Sequence, residues 1–98
     1  MSIQRTQIPT ELWLKVLDEV RDFLQKKLEE HGRGACVSLH EIRGLVGEEW
    51  DEFKTCVHQN DTGHAREELL DLIVSAVWGI VSIDAQVTTD DWDSGENS

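Results

Sequence analysis

Glu48, Glu49, Asp51 and Glu52 crowd the stretch GEEWDEF at residues 47–53, directly before Phe53. Sixteen residues after Glu52, Glu68 and Asp71 stand in a second acidic stretch, EELLDLIV, which leads into an apolar run. A carboxylate moved from water into a packed interior costs several kcal/mol, on the order of a buried unpaired charge, unless a partner meets it. The nearby bases are few: Arg43, Lys54 and Arg66. The simplest compensation is a divalent cation. Hard Mg²⁺ takes oxygen ligands and keeps waters or phosphate oxygens in its remaining positions.

Three helices are expected to position these acids. Pro9-Thr10 predicts a helix start with Thr10 as N-cap and Glu11 in the first turn. Leu12, Trp13, Val16, Leu17, Val20, Phe23, Leu24 and Leu28 follow at helical spacing, and Gly32 ends the element. GRGACV reads as a loop. Ser38 and Glu41 then form S-x-x-E, a capping box, with Val37 and Ile42 where a hydrophobic staple would sit. A second helix is predicted from Ser38 to about His58. QNDTGH is a turn, and a third helix is predicted from near Thr62 through about Ile83. Nothing alternates with a strand period for long, so the class is all-α.

On the second helix, an advance of about 100° per residue gathers Leu39, Ile42, Val46, Phe53 and Val57 into an apolar stripe. Leu45 and Cys56 lie on one shoulder. Glu49 falls inside the stripe, roughly 40° from its centre by the same advance. Glu52 shares the shoulder, Glu48 lies just beyond, and Asp51 points to the far side. The third helix is apolar over most of its circumference, save one strip of Glu68, Asp71, Ser75, Gly79 and Ser82. Small residues on that strip let a backbone or ligand come close. Either acidic pair alone reads as a solvated helix face. The conjunction points to metal: two pairs on consecutive helices, each bordering an apolar face, joined by a turn short enough for antiparallel packing.

The composition bounds the rest. The chain has 98 residues and a formal charge of −11 from 20 acids and 9 bases. That length gives one domain with a modest core, which favours an oligomeric interface. The charge argues against nucleic-acid binding, which wants a basic face. Cys36 and Cys56 lie 20 apart with no CxxC, which speaks against zinc and for two reduced thiols. The N-terminus has no apolar signal-peptide segment, and the longest apolar run, residues 72–83, falls short of the roughly 20 residues that span a membrane. A cytoplasmic protein without a membrane partner is expected. The reading divides the chain into a polar arm at 1–9, a helical domain at 10–83 and an acidic tail at 84–98. Disorder is expected over most of that tail, although Trp92 could dock.

The acidic pattern resembles that of the MazG-like, all-α nucleoside triphosphate pyrophosphohydrolases. That family carries EExxE on one helix and ExxD on the next; here these are Glu48-Glu49-Trp50-Asp51-Glu52 and Glu68-Leu69-Leu70-Asp71. REELLDLIVSAVWGI also looks like the family's third-helix run. The resemblance covers roughly residues 10–83. It implies a helical bundle completed by dimerisation, as a homodimer or a dimer of dimers. It further implies Mg²⁺, with Mn²⁺ as a substitute, between the two acidic helices. The implied reaction is hydrolysis of a nucleoside triphosphate to the monophosphate and pyrophosphate. By motif position, Glu49, Glu52, Glu68 and Asp71 would bind the metal, and Glu48 would be a further ligand or the group that deprotonates water. The catalytic roles of Glu48 and Glu49 stay open between them. The family often continues into a further helix with a lysine or asparagine near the phosphates, whereas no Lys or Arg follows Arg66 here. Phosphate contacts would then come from Lys54, Arg66, the first helix or a partner subunit. A non-catalytic dimer of the same fold, binding nucleotide or a protein partner, is the alternative.

Trp13, Trp50 and Trp78 could stack on a nucleobase, although each also reads as packing; Trp50 is nearest the acidic motif. His58 and His64 read as surface residues flanking the turn. No Glu is followed three residues later by a His, so a di-iron bundle is not expected.

Overall fold

The computed structural model describes residues 3–85 and contains three helices: α1 (Thr10–His31), α2 (Leu39–His58) and α3 (Thr62–Asp84). The all-α class holds. The expectations for residues 86–98, Trp92 included, lie outside the described residues. No helix among them is long and apolar enough to cross a membrane.

Local chemistry fixes the helix ends, with two corrections to the sequence reading. The N-cap of α1 is Pro9, in extended conformation and without a side-chain cap, so Thr10 is already helical. The amides of Leu12 and Trp13 donate to the Pro9 carbonyl instead. At the start of α2, Ser38 Oγ accepts from the Glu41 amide at 3.1 Å, which is half of the expected capping box. The Glu41 carboxylate reaches one residue further back than expected and accepts from the Val37 amide at 2.7 Å. Gly32 closes α1 with φ 82°, a left-handed conformation that costs glycine no Cβ clash.

The α2–α3 turn is short. Asn60 takes φ 55°, which asparagine tolerates better than most residues. Asp61 then caps α3 by accepting from the His64 amide at 3.1 Å, and the same carboxylate meets His64 Nδ1. The reversal folds α3 back along α2 as an antiparallel hairpin. α1 leans on α3 and makes no close backbone approach to α2. Arg66 on α3 pins it with a two-pronged bond to Glu19, at 2.7 and 2.5 Å.

The polar strip of α3 is the one that faces α2. Gly79 and Ser82 are buried, Glu68, Asp71 and Ser75 half-buried, and Ile42 of α2 lies directly against Gly79. The seam on α2 is correspondingly rotated from the predicted stripe. Ile42, Val46, Glu49 and Phe53 are half-buried and Cys56 is buried, while Leu39 and Val57 lie exposed at its margins. Glu49 therefore sits in the interhelical seam itself. Val37 is 66 % exposed, whereas Ile42 turns toward α3.

The loop before α2 closes the other end. Ser82 Oγ accepts the buried Cys36 amide and donates to the Trp78 carbonyl, both at 2.8 Å. Trp78 Nε1 donates to the Gly34 carbonyl at 2.6 Å. Cys36 and Cys56 are buried and not disulfide-bonded. α1 buries no residue fully, and Trp13, Leu14 and Leu17 remain more than half exposed, as do Ile80 and Val81 on α3.

Candidate metal centre

The α2–α3 hairpin brings all five predicted acids together. One carboxylate oxygen from each of Glu48, Glu49 and Glu52 lies within 4.8 Å of the others, and the same holds for Glu49, Glu68 and Asp71. Glu49 belongs to both triads. Glu48 and Glu52 are exposed at the rim, whereas Glu49, Glu68 and Asp71 are half-buried between the helices.

Glu49 Oε2 and Glu68 Oε2 are fully enclosed and accept no hydrogen bond. Orphaned acceptors of that kind are uncommon in a finished fold and call for a proton or a cation. The titration of the site points the same way. The Glu68 carboxyl is pushed up to about 7, first by the adjacent Glu52 carboxylate, to which protonated Glu68 can donate, then by burial and the charges of Glu52, Asp71 and Glu49. Glu49 is raised chiefly by burial and then by Asp71 and Glu52, while a proton held on neighbouring Glu68, donated toward Glu49, partly offsets them. Asp71 is raised by burial, opposed by the positive charge of Lys27 on α1. Like charges crowded in a low-dielectric seam disfavour their own ionisation. A divalent cation would reverse that preference.

Two open cavities border this cluster. One of about 390 Å³ is lined by Lys27, His31, Leu45, Glu48, Glu49, Asp71, Val74, Ser75 and Trp78. A second, of about 270 Å³, is lined by Phe23, Lys27, Glu67, Glu68, Leu70 and Asp71. Carboxylates, one ammonium and an aromatic wall therefore meet at one place.

The residues expected to bind substrate lie elsewhere in the single chain. Lys54 pairs with Asp51 at 3.3 Å on an exposed part of α2. Arg66 is engaged by Glu19, and Trp50 is 48 % exposed with its ring 5.7 Å from that of Phe53. None of the three lines either cavity. His64 serves the α3 cap. Lys27 escaped the sequence reading by number: it is one of several lysines on α1, and only the docking of that helix singles it out.

No family model matches the chain, and no significant match links it to a curated protein or to a solved structure.

Proposed function

We propose that this chain is a Mg²⁺-dependent nucleoside triphosphate pyrophosphohydrolase of the MazG-like all-α kind, with Mn²⁺ as a substitute ion. The observation that carries the reading is the convergence of Glu49, Glu52, Glu68 and Asp71 from two helices, with two enclosed carboxylate oxygens left without a donor. An all-oxygen donor set suits a hard divalent cation. Those four residues would hold the ion, with Glu48 as a further ligand or as the base. When bound, Mg²⁺ would neutralise phosphate charge and make a water more acidic.

The remaining tasks fall to the chain's own side chains. Water adds across the α–β anhydride of the triphosphate: its oxygen bonds to phosphorus, the bridging P–O bond breaks, and pyrophosphate leaves with the electron pair. The water's proton passes to Glu48 or Glu49. Glu48 is exposed and lines the larger cavity, so it can reach a water there. Phosphoryl transfer of this sort asks for positioning and charge neutralisation more than for a covalent nucleophile.

Assembly as a homodimer or dimer of dimers belongs to the same reading. The buried apolar side chains among the described residues are Cys36, Cys56 and Val74. Burying a valine or larger apolar side chain contributes about 1.5–3 kcal/mol, against roughly 1–2 kcal/mol of backbone entropy lost per ordered residue. The uncovered faces at Trp13, Leu14, Leu17, Ile80 and Val81 supply apolar surface for a second copy.

The test is a panel of NTPs and dNTPs with Mg²⁺, assayed for pyrophosphate and monophosphate, on the wild type and Asp71→Ala. The wild type is expected to release pyrophosphate, and Asp71→Ala to lose it. Absence of release across the panel would sink the enzyme reading. The engagement of Arg66 by Glu19 and of Lys54 by Asp51, away from both cavities, favours one second reading, a non-catalytic dimer of this fold. It predicts stabilisation by Mg²⁺ and nucleotide without turnover.

A further inference from the structure

We propose that Lys27 on α1 is the phosphate-binding cation of this site, receiving non-bridging oxygens of a metal-bound polyphosphate between the two cavities. The inference deepens the pyrophosphohydrolase reading and rests on it for the identity of the ligand. Lys27 and Asp71 are the two residues that line both cavities, so they stand where the cavities meet. Of all the lining residues, Lys27 is the single lysine or arginine.

Its surroundings hold the ammonium at the site without consuming it. The Phe23 ring lies 5.1 Å from Nζ, a cation–π distance that keeps the head group over the α1–α3 junction. Glu30, one turn along the same helix, is 3.6 Å away, and the pair is partly exposed. Such a contact is worth about 0.2–0.5 kcal/mol and yields to a stronger anion. Arg66, by contrast, is committed to Glu19 through two short bonds. The two carboxylate triads that share Glu49 would leave the outer phosphates of a polyphosphate facing negative charge. A lysine answers that as a point charge with three donors. The charge of Lys27 already acts on Asp71.

The rival role is structural: Lys27 as a counter-ion that only relieves Asp71. Titration calorimetry with inorganic pyrophosphate in excess MgCl₂ separates the two, using the full chain, Lys27→Gln, Lys27→Arg and Lys26→Gln as a control of equal charge change. Lys27→Gln is expected to weaken pyrophosphate binding about tenfold or more, with Lys27→Arg recovering most of it and Lys26→Gln unchanged. The rise in Tm produced by Mg²⁺ alone is expected to persist in Lys27→Gln. In turnover assays, KM is expected to rise more than kcat falls. The proposal is overturned if the wild type fails to bind pyrophosphate, if Lys27→Gln binds it as tightly as the wild type, or if Lys27→Gln also loses the Mg²⁺ response. Pyrophosphate binding that depends on Lys27, in a protein that hydrolyses no nucleotide, would sink the enzyme reading and leave this inference standing. Turnover indifferent to Lys27→Gln would do the reverse.

Discussion

Ile42 occupies the space that a side chain on Gly79 would need. A Cβ built on Gly79 would come within 2.7 Å of Ile42 Cγ2 and 3.5 Å of Cγ1. The branch point of isoleucine is stiff and cannot swing aside cheaply. This contact sets how closely α2 and α3 approach, and so how tightly the acids beyond it are drawn together.

Gly79→Ala gains about 1 kcal/mol of helix propensity but incurs overpacking of about 1–3 kcal/mol. A net loss of up to roughly 2 kcal/mol is expected, together with a smaller Mg²⁺-induced rise in Tm. Adding Ile42→Ala should relieve the clash and recover part of the Mg²⁺ response. Thermal unfolding with and without Mg²⁺ checks this; a Gly79→Ala protein more stable than the wild type would refute the close approach.

Stability without divalent ions should fall as pH rises. Glu68 is raised to about 7, and Glu49 and Asp71 are raised as well. A raised carboxyl binds its proton more tightly in the folded state. Its contribution is complete below the unfolded value and is lost as pH climbs through the folded one. His64 is also raised, first by its hydrogen bond with Asp61, and acts with the same sign. Measured in EDTA on a His64→Gln background, Tm is expected to drop by roughly 5 °C between about pH 5 and pH 8. Mg²⁺ should then raise Tm most at the alkaline end. A flat profile in EDTA would mean that the carboxylates are not crowded in the folded protein.

Glu52→Gln should separate stability from metal binding. The amide keeps the shape of the side chain, can donate to Glu68 and removes one of the charges that raise it. The metal-free variant is expected to be more stable than the wild type at about pH 8, by on the order of 1 kcal/mol after solvent screening. It should also respond weakly to Mg²⁺ and release no pyrophosphate. Paired melts in EDTA and MgCl₂ give the answer, and a Glu52→Gln protein that is less stable in EDTA would contradict it.

Ser82→Ala tests the strap over the far end of the hairpin. Ser82 is 1 % exposed, and its hydroxyl is what the buried Cys36 amide donates to. Losing that acceptor should cost about 1–3 kcal/mol. Amide exchange at Cys36 is expected to accelerate, and its thiol to react faster with a thiol reagent. Unchanged exchange would show that the loop is held by other contacts.

The amino-acid order alone determined the three helices and most of their ends, because caps, turn residues and periodicity act within a few positions; the α1 N-cap fell one residue earlier, at Pro9. Ser38, Gly32 and the short QNDTGH turn carry that information locally. It also placed acids of both helices along one interhelical seam, since a tight antiparallel reversal leaves little freedom of register; Glu49, Glu68 and Asp71 lie in it and Glu52 at its rim. The predicted stripe on α2 was displaced toward Cys56, because the actual contact is set by Gly79 meeting Ile42, a fit between two surfaces. Only the tertiary structure decided the roles of the basic residues. Arg66 turned to Glu19, Lys54 stayed with Asp51, and Lys27 came to the acids. Long cationic side chains take their partners from whichever helix lies alongside, and the docking angle of α1 is a property of the packed assembly that no local pattern encodes.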